Sequence, residues 1–216
     1  MPIILYSYFR SSAAYRVRIA LNLKNIDYTI HPVHLLKNGG EQLNADYLAL
    51  NPQGRVPVLV VENQVLTQSS AIIEYLEETY PTPPLLPTNA LERAYVRSLA
   101  QIIACDIHPL NNLRVLAYLK GFIKEDGFEQ GWRIHWIQEG FAAFEQLLQK
   151  HGYCGRFTYG DMPNMADAFL VPQVYNALRF GYEMSGFPLI SGIYENCLQE
   201  SAFSKAAPEN QPDAET

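Results

Sequence analysis

The sequence predicts a protein in two parts, a small mixed α/β unit followed by a unit built almost wholly of helices. Three observations carry that reading. Short apolar runs alternate with helical patterns over residues 1–83, a proline-rich stretch from Pro81 to Pro87 follows, and beyond it strand signals nearly vanish. A chain of 216 residues can bury a sizeable core, as one long domain or two small ones. The expected boundaries are 1–83 for the α/β unit and 88–206 for the helical unit, with residues 207–216 as a loose polar tail carrying Pro208 and Pro212.

Ile3-Ile4-Leu5-Tyr6 reads as the first strand, ended by the run Ser7-Tyr8-Phe9-Arg10-Ser11-Ser12. Tyr15, Ile19 and Leu23, with Val17, Ala20 and Leu21, recur at helical spacing and predict a helix over Ala13 to Lys24. Ile26 to Val33 is rich in β-branched and aromatic residues, a second strand. A helix over Gln42 to Leu50 stops before Asn51-Pro52, because the residue ahead of a proline avoids helical backbone. Val58-Leu59-Val60-Val61 and Gln64-Val65-Leu66 flank Glu62-Asn63, the pattern of a hairpin. Ser70 to Tyr80 forms a third helix, halted by Pro81-Thr82-Pro83-Pro84. In the second part, helical patterns fill Leu91 to Leu119, Trp132 to His151, Met165 to Phe180 and Ile190 to Glu200.

Composition narrows the function. With 22 acidic and 16 basic residues the net charge is −6, which provides no footprint for nucleic acid or an anionic membrane. No apolar run approaches the ~20 residues of a membrane span, and the N-terminus reads as a strand rather than a leader. Cys105, Cys154 and Cys197 are odd in number and far apart, so neither a disulfide framework nor a metal site is expected. A reducing cytoplasm is the expected location.

Five segments are candidates for chemistry or for capping. A strand leading through Arg10-Ser11-Ser12-Ala13-Ala14-Tyr15-Arg16 into a helix puts hydroxyls and free N–H groups at a positive helix end, which suits an anion such as a thiolate. The plainer alternative is that Ser11 or Ser12 is an N-cap worth about 1 kcal/mol. Asn51-Pro52-Gln53-Gly54-Arg55-Val56-Pro57 is an edge-strand entry or a backbone presented to a ligand. Gln68-Ser69-Ser70 opens the third helix, with Ser69 as its cap or as part of a carboxylate site. In Cys105 to Arg114, His108 and Asn112 share a helix face with Arg114 less well placed, and Pro109 interrupts the helix; the alternative is a satisfied core histidine. Asn164 and Asp167 form a capping box that serves folding.

Taken together these segments resemble the zeta class of glutathione transferases. The similarity runs from Tyr6 to about Pro212 and is strongest at Tyr6-Ser7-Tyr8-Phe9-Arg10-Ser11-Ser12, Arg16 to Leu21, Gln68-Ser69, Ile72 to Glu78 and Leu170-Val171-Pro172-Gln173. The resemblance implies a thioredoxin-like N-terminal domain, an all-α C-terminal domain, a homodimer and a cis bond before Pro57. It implies glutathione as cofactor, with Ser11, Ser12, Ala13 and Arg16 around the thiol, Val56 bonding the peptide backbone, and Gln68 and Ser69 holding the γ-glutamyl end. Gln42, His108, Asn112, Leu113 and Arg114 match further glutathione-site positions. The implied activity is cis–trans isomerisation of the dicarboxylate maleylacetoacetate to fumarylacetoacetate, in aromatic amino-acid breakdown. Maleylpyruvate, shorter but also a dicarboxylate, is the alternative substrate. Ser11, Ser12, Arg10 and Arg16 are the catalytic candidates, and Arg10, His108, Arg114 and Arg179 the carboxylate ligands.

Two positions depart from the family. Ala13 stands where a cysteine is common and Tyr15 where a tryptophan is common, so no protein thiol lies at this turn. A thiol with a pKa near 8.5 is mostly protonated at neutral pH. Lowering it by about two units takes roughly 2.7 kcal/mol of thiolate stabilisation, a share for a serine hydroxyl, the helix end and nearby arginines together. A general transferase or peroxidase that consumes glutathione, and a scaffold that has lost its chemistry, are the competing classes. The combined presence of Ser11-Ser12, Val56-Pro57 and Gln68-Ser69 argues against the scaffold.

Overall fold

The computed structural model describes residues 2–215. They fall into two compact units: Leu86–Cys197 is one, and the remaining described residues form the other.

The first unit is built on four strands, β1 (Ile3–Ser7), β2 (Thr29–Pro32), β3 (Val58–Val61) and β4 (Gln64–Thr67), in the order β2-β1-β3-β4. β1 runs parallel to β2, with Leu5 opposite Ile30, and antiparallel to β3, with Leu5 opposite Leu59. β1 and β3 are therefore the inner strands, and Leu5, Val58 and Leu59 are fully buried. Glu62 and Asn63 both take positive φ, 51° and 65°, as a two-residue hairpin loop requires if its twist is to match the strands. The helices are α1 (Ser12–Leu23), α2 (Ala45–Leu50) and α3 (Ser69–Thr79). α2 is shorter than its apolar pattern suggests. Asn44 is extended at φ −67° and ψ 147°, so a separate 3-10 turn, Glu41–Leu43, precedes the helix.

α1 and α3 are braced at both ends. Near their N-termini Arg16 Nη1 donates to Ser69 Oγ at 3.3 Å. At the other end Lys24 Nζ donates to Glu77 Oε2 at 2.7 Å and to the carbonyls of Tyr80 and Pro83 at 2.7 and 3.0 Å. Burial of Ile19, Ile72, Ile73 and Leu76 supplies the apolar seam.

The C-terminal segment corrects the sequence reading. Residues expected at the end of the helical unit and in a loose tail belong to the α/β unit instead. A short helix, Ser201–Ala206, buries Phe203 and Ala206 completely, and its backbone carbonyls accept from α1. Asn22 Nδ2 donates to Ala202 O at 2.9 Å and Arg18 Nε to Ala206 O at 2.9 Å. Beyond it Gln211 Nε2 donates to the carbonyls of Lys205 and Ala207, closing the helix end. Polar composition suggested solvent, yet these side chains are consumed by specific acceptors.

The helical unit holds α4 (Ala90–Gln101), α5 (Leu113–Leu119), α6 (Phe128–His151), α7 (Met165–Arg179) and α8 (Pro188–Leu198). The helix expected across Leu91 to Leu119 is broken. A π-helical stretch, Ile102–Ile107, follows α4, with His108 N–H donating to Ile103 O at 3.0 Å, and Asn112 then caps α5. Pro109 lacks the N–H that a continuous helix needs. α7 is the buried spine, and its capping box is present: Asn164 Oδ1 accepts from Ala166 N–H, and Asp167 Oδ2 from Asn164 N–H at 2.8 Å. Glu145 on α6 accepts from Leu189 and Ile190 N–H at 2.9 and 3.0 Å, a carboxylate from another helix satisfying the first turn of α8.

Candidate active site

The α/β unit presents three backbone features that face the same kind of chemistry. The first is the start of α1. Ser11 is the N-cap, and its Oγ accepts from Ala14 N–H at 3.2 Å. A hydroxyl that accepts there still has its own proton to donate. The N–H groups of Ser12 and Ala13, in the first turn, have no partner among the described residues. Two N–H groups, one uncommitted hydroxyl proton and the positive end of a 12-residue helix thus converge where the resemblance places a thiolate. The capping and thiolate readings of Ser11 are compatible, because they use different halves of one hydroxyl. Arg10 is exposed, its guanidinium lying 4.7 Å from the centre of the Phe9 ring.

Arg16 lies elsewhere than at the surface. It is only 1 % exposed, and its reach is to Ser69.

The second feature is the corner before β3. The Val56–Pro57 bond is cis, as the resemblance implied, and Thr82–Pro83 is cis as well. Neither the N–H nor the carbonyl of Val56 has a partner among the described residues. The preceding carbonyl, that of Arg55, is held twice, by Tyr47 Oη at 2.7 Å and Asn51 Nδ2 at 2.8 Å. Asn51 is 2 % exposed and also accepts from Gln53 N–H, so its amide organises the whole loop. Burial pushes the Tyr47 phenol well above its ordinary range, keeping it a donor at any relevant pH.

The third feature is the start of α3. Ser69 is the first helical residue rather than the cap; Gln68 is the cap, at φ 68° and ψ 116°. That backbone is unusual for a residue with a side chain and costs on the order of 1–3 kcal/mol, the kind of strain that collects at ligand sites. It exists because β4 must turn abruptly into α3 with no glycine available. Gln68 Nε2 donates to Gln53 Oε1 at 2.8 Å, and the N–H groups of Ser69, Ser70 and Ala71 have no partner among the described residues, an arrangement that suits a carboxylate. Gln42 donates to Leu35 O at 3.4 Å, while its Oε1 is buried without a partner.

His108, Asn112, Leu113, Arg114 and Arg179 lie on the helical unit. His108 is half-buried at the end of the π-helical stretch; Leu113 and Arg114 are exposed, and the Asn112 side chain accepts from Arg114 N–H at 3.2 Å. Arg179 is exposed, with Nη2 donating to Asn176 Oδ1 at 3.1 Å. Its guanidinium sits 4.5 Å from the Phe180 ring centre, and that of Arg133 sits at the same distance. The larger cavity described in this unit, about 460 Å³, is lined by charged residues including Lys120, Glu129 and Arg133, and by none of the expected ligands.

Tyr47, which holds the Arg55 carbonyl, lay outside the segments the sequence singled out, whereas Asn51 and Gln53 lay within them, through their place in the Asn-Pro-Gln-Gly loop.

A family model described as the glutathione S-transferase N-terminal domain matches residues 10–79. Over 210 residues, 97% of each chain, the sequence is 49% identical to the maleylacetoacetate isomerase of Pseudomonas aeruginosa. The holo structure of a maleyl pyruvate isomerase, a bacterial glutathione S-transferase of the zeta class, matches with TM-score 0.94 at 48% identity, covering 98% of this chain and 100% of that one. The maleylacetoacetate isomerase of Anaeromyxobacter dehalogenans 2CP-1, crystallised with glutathione bound, matches with TM-score 0.88 at 41% identity over 99% and 98% of the two chains. The same protein has been crystallised with dicarboxyethyl glutathione and citrate in its active site. Identity of this order over almost the entire length leaves one conclusion: the chain belongs to the zeta class of glutathione S-transferases.

Proposed function

We propose that this protein is a glutathione-dependent cis–trans isomerase converting maleylacetoacetate to fumarylacetoacetate. The observation that carries the reading is the Ser11 hydroxyl, which accepts Ala14 N–H and keeps its proton for a second partner at the N-terminus of α1. Glutathione, when bound, supplies a thiolate that adds reversibly to the cis double bond, permits rotation and leaves again as the trans isomer forms.

The chain's own residues have separable roles. Ser11 donates to the sulfur, and the N–H groups of Ser12 and Ala13 add to the positive field there. Val56 pairs through its backbone with the peptide part of glutathione. The turn Gln68-Ser69 holds the γ-glutamyl carboxylate, with Arg16 acting through Ser69. Arg10, exposed beside this turn, binds a substrate carboxylate; His108, Arg114 and Arg179 are the candidates for the same task on the helical unit. No protein thiol acts at this turn, since position 13 is alanine.

The closeness of the maleyl pyruvate isomerase fold, at TM-score 0.94, makes maleylpyruvate the second candidate substrate. Incubation of the protein with each substrate, with and without glutathione, decides between them. Loss of neither cis substrate in the presence of glutathione overturns the proposal. Ser11→Ala is expected to lose far more rate than Ser12→Ala, and equal small losses would assign the sulfur to another donor.

A homodimer is proposed on family grounds and is read by sedimentation. A reducing, cytoplasmic location fits three cysteines that are all free, and cell fractionation tests it.

A further inference from the structure

We infer that the C-terminal segment is a strap that positions the thiol-binding turn, with Asp213 and Arg18 clamping the backbone of Phe9 between them. The inference rests on the glutathione-site reading of Ser11 given above.

Phe9 is held at both of its backbone groups. Its N–H donates to Asp213 Oδ2 at 3.0 Å, and its carbonyl accepts from Arg18 Nη2 at 3.0 Å. Arg18 is fully buried and reaches three more groups: Ser7 Oγ at 2.9 Å, Tyr8 O at 3.5 Å and, on the C-terminal segment, Ala206 O at 2.9 Å. Burial lowers its pKa to about 10, with Asp213 among the charges opposing that shift, so it stays a cation at neutral pH. The Tyr8 carbonyl also accepts Ser11 N–H at 2.9 Å. One guanidinium and one carboxylate therefore fix the end of β1 and the two residues after it, Tyr8 and Phe9, immediately before Arg10 and Ser11.

The strap is itself anchored on either side of Asp213. Gln211 ties it to the carbonyls of Lys205 and Ala207. Ala214 packs on the small cluster of Tyr8, Phe9, Val33, Tyr47, Val56 and Val58. Glu215 pairs with Lys37 Nζ at 2.7 Å and His34 Nε2 at 3.1 Å. That cluster contains both Phe9, which leads to the serine turn, and Val56, the second glutathione contact. A displaced strap would loosen both at once. Meanwhile Asp213 Oδ1 is buried with no hydrogen-bond partner among the described residues, an arrangement that lowers stability rather than raising it.

The test compares Asp213→Ala and Asp213→Asn in the full chain. It reads the pKa of the bound glutathione thiol by thiolate absorbance, kcat and KM for glutathione, melting temperature, and exchange of the Phe9 amide without ligand. If Asp213 positions the turn, Asp213→Ala raises the bound thiol pKa. It then lowers kcat at neutral pH roughly ten-fold, a fraction of the ~100-fold that a full ångström of misplacement can cost, with a smaller change in KM. Asp213→Asn keeps the acceptor for Phe9 N–H and stays within about two-fold of the unmodified protein. Simple electrostatics gives the opposite sign, because removing an anion lowers the pKa of a nearby thiol. A lowered thiol pKa, or an unchanged one accompanied by a fall in melting temperature, overturns the inference. A ten-fold loss in Asp213→Asn does the same, and that variant remains informative if the alanine variant does not fold. Should the unmodified protein fail to bind glutathione, the functional reading fails by itself. The clamp is then judged on Phe9 amide exchange, which must accelerate in Asp213→Ala, and equal exchange rejects it.

Discussion

Replacing Lys24 by methionine tests the brace that holds α1 against α3. The Lys24 side chain is completely buried and that of Glu77 is 7 % exposed, with Nζ and Oε2 2.7 Å apart. The ammonium also satisfies the carbonyls of Tyr80 and Pro83, and the same Glu77 oxygen accepts from Leu85 N–H at 2.9 Å. Methionine nearly preserves the volume, so no large cavity confuses the result. What is lost is the counter-charge of a buried carboxylate, which costs about 3–5 kcal/mol. Two orphaned carbonyls add roughly 1 kcal/mol each, for a total of about 5–7 kcal/mol and, in a chain of this size, a fall in Tm of roughly 10–28 °C. Denaturant and thermal unfolding measure the loss. A double variant, Lys24→Met with Glu77→Leu, is expected to recover much of it, since an apolar pair carries no uncompensated charge. A cost below about 1 kcal/mol for Lys24→Met alone, the value of a solvent-exposed pair, would refute the reasoning.

Three further expectations follow from the same geometry. Gln68→Gly relieves the positive-φ strain at the cap of α3 but removes the amide that pairs with Gln53; thermal stability should hold or rise while glutathione affinity falls, and calorimetry of both reads the divergence. Asn51→Ala releases the Arg55 carbonyl and the Gln53 turn, and should raise KM for glutathione with a stability loss of about 1–3 kcal/mol, read by kinetics and urea unfolding. Burial raises the Asp167 carboxyl to about 7, against hydrogen bonds from Thr158 and Asn164 that pull it down. The native state thus holds this proton more tightly than the unfolded chain. Its stabilising share is complete below about pH 4 and is lost as pH rises toward 7. The penalty of Asp167→Asn, measured as unfolding free energy, should be larger at pH 4 than at pH 7, and a flat or reversed difference counts against a raised Asp167.

Much of this organisation was legible in the residues because its causes are local. The hairpin follows from alternating β-branched residues around Glu62-Asn63, and the Asn164–Asp167 box from a spacing of three. Ser11 as a cap could be narrowed to two neighbouring serines, and the structure chose between them. The break after Gln101 was signalled only by Pro109, while the π-helical stretch Ile102–Ile107, whose Ile107 side chain lies close to Gly140 of α6, is an outcome of packing. Of the two readings of Ser69, the cap rested on the preference for a serine ahead of a helix, and the turn at Gln68 overrode that preference.

By itself the sequence determined the order of elements, the proline corner at Val56-Pro57, two helix starts suited to anions, and the absence of a protein thiol at position 13. These are properties of residues within a turn or two of each other. Tertiary structure alone decided where the long polar side chains go. Arg16 turned inward to Ser69, Arg18 spent its donors on the strand end and on a residue 188 positions away, and Asp213 reached Phe9 across 204 positions. A buried arginine and a surface arginine have the same local pattern. They differ only in which acceptors the folded chain brings within hydrogen-bond reach of them, and that is a property of packing which no window of sequence contains.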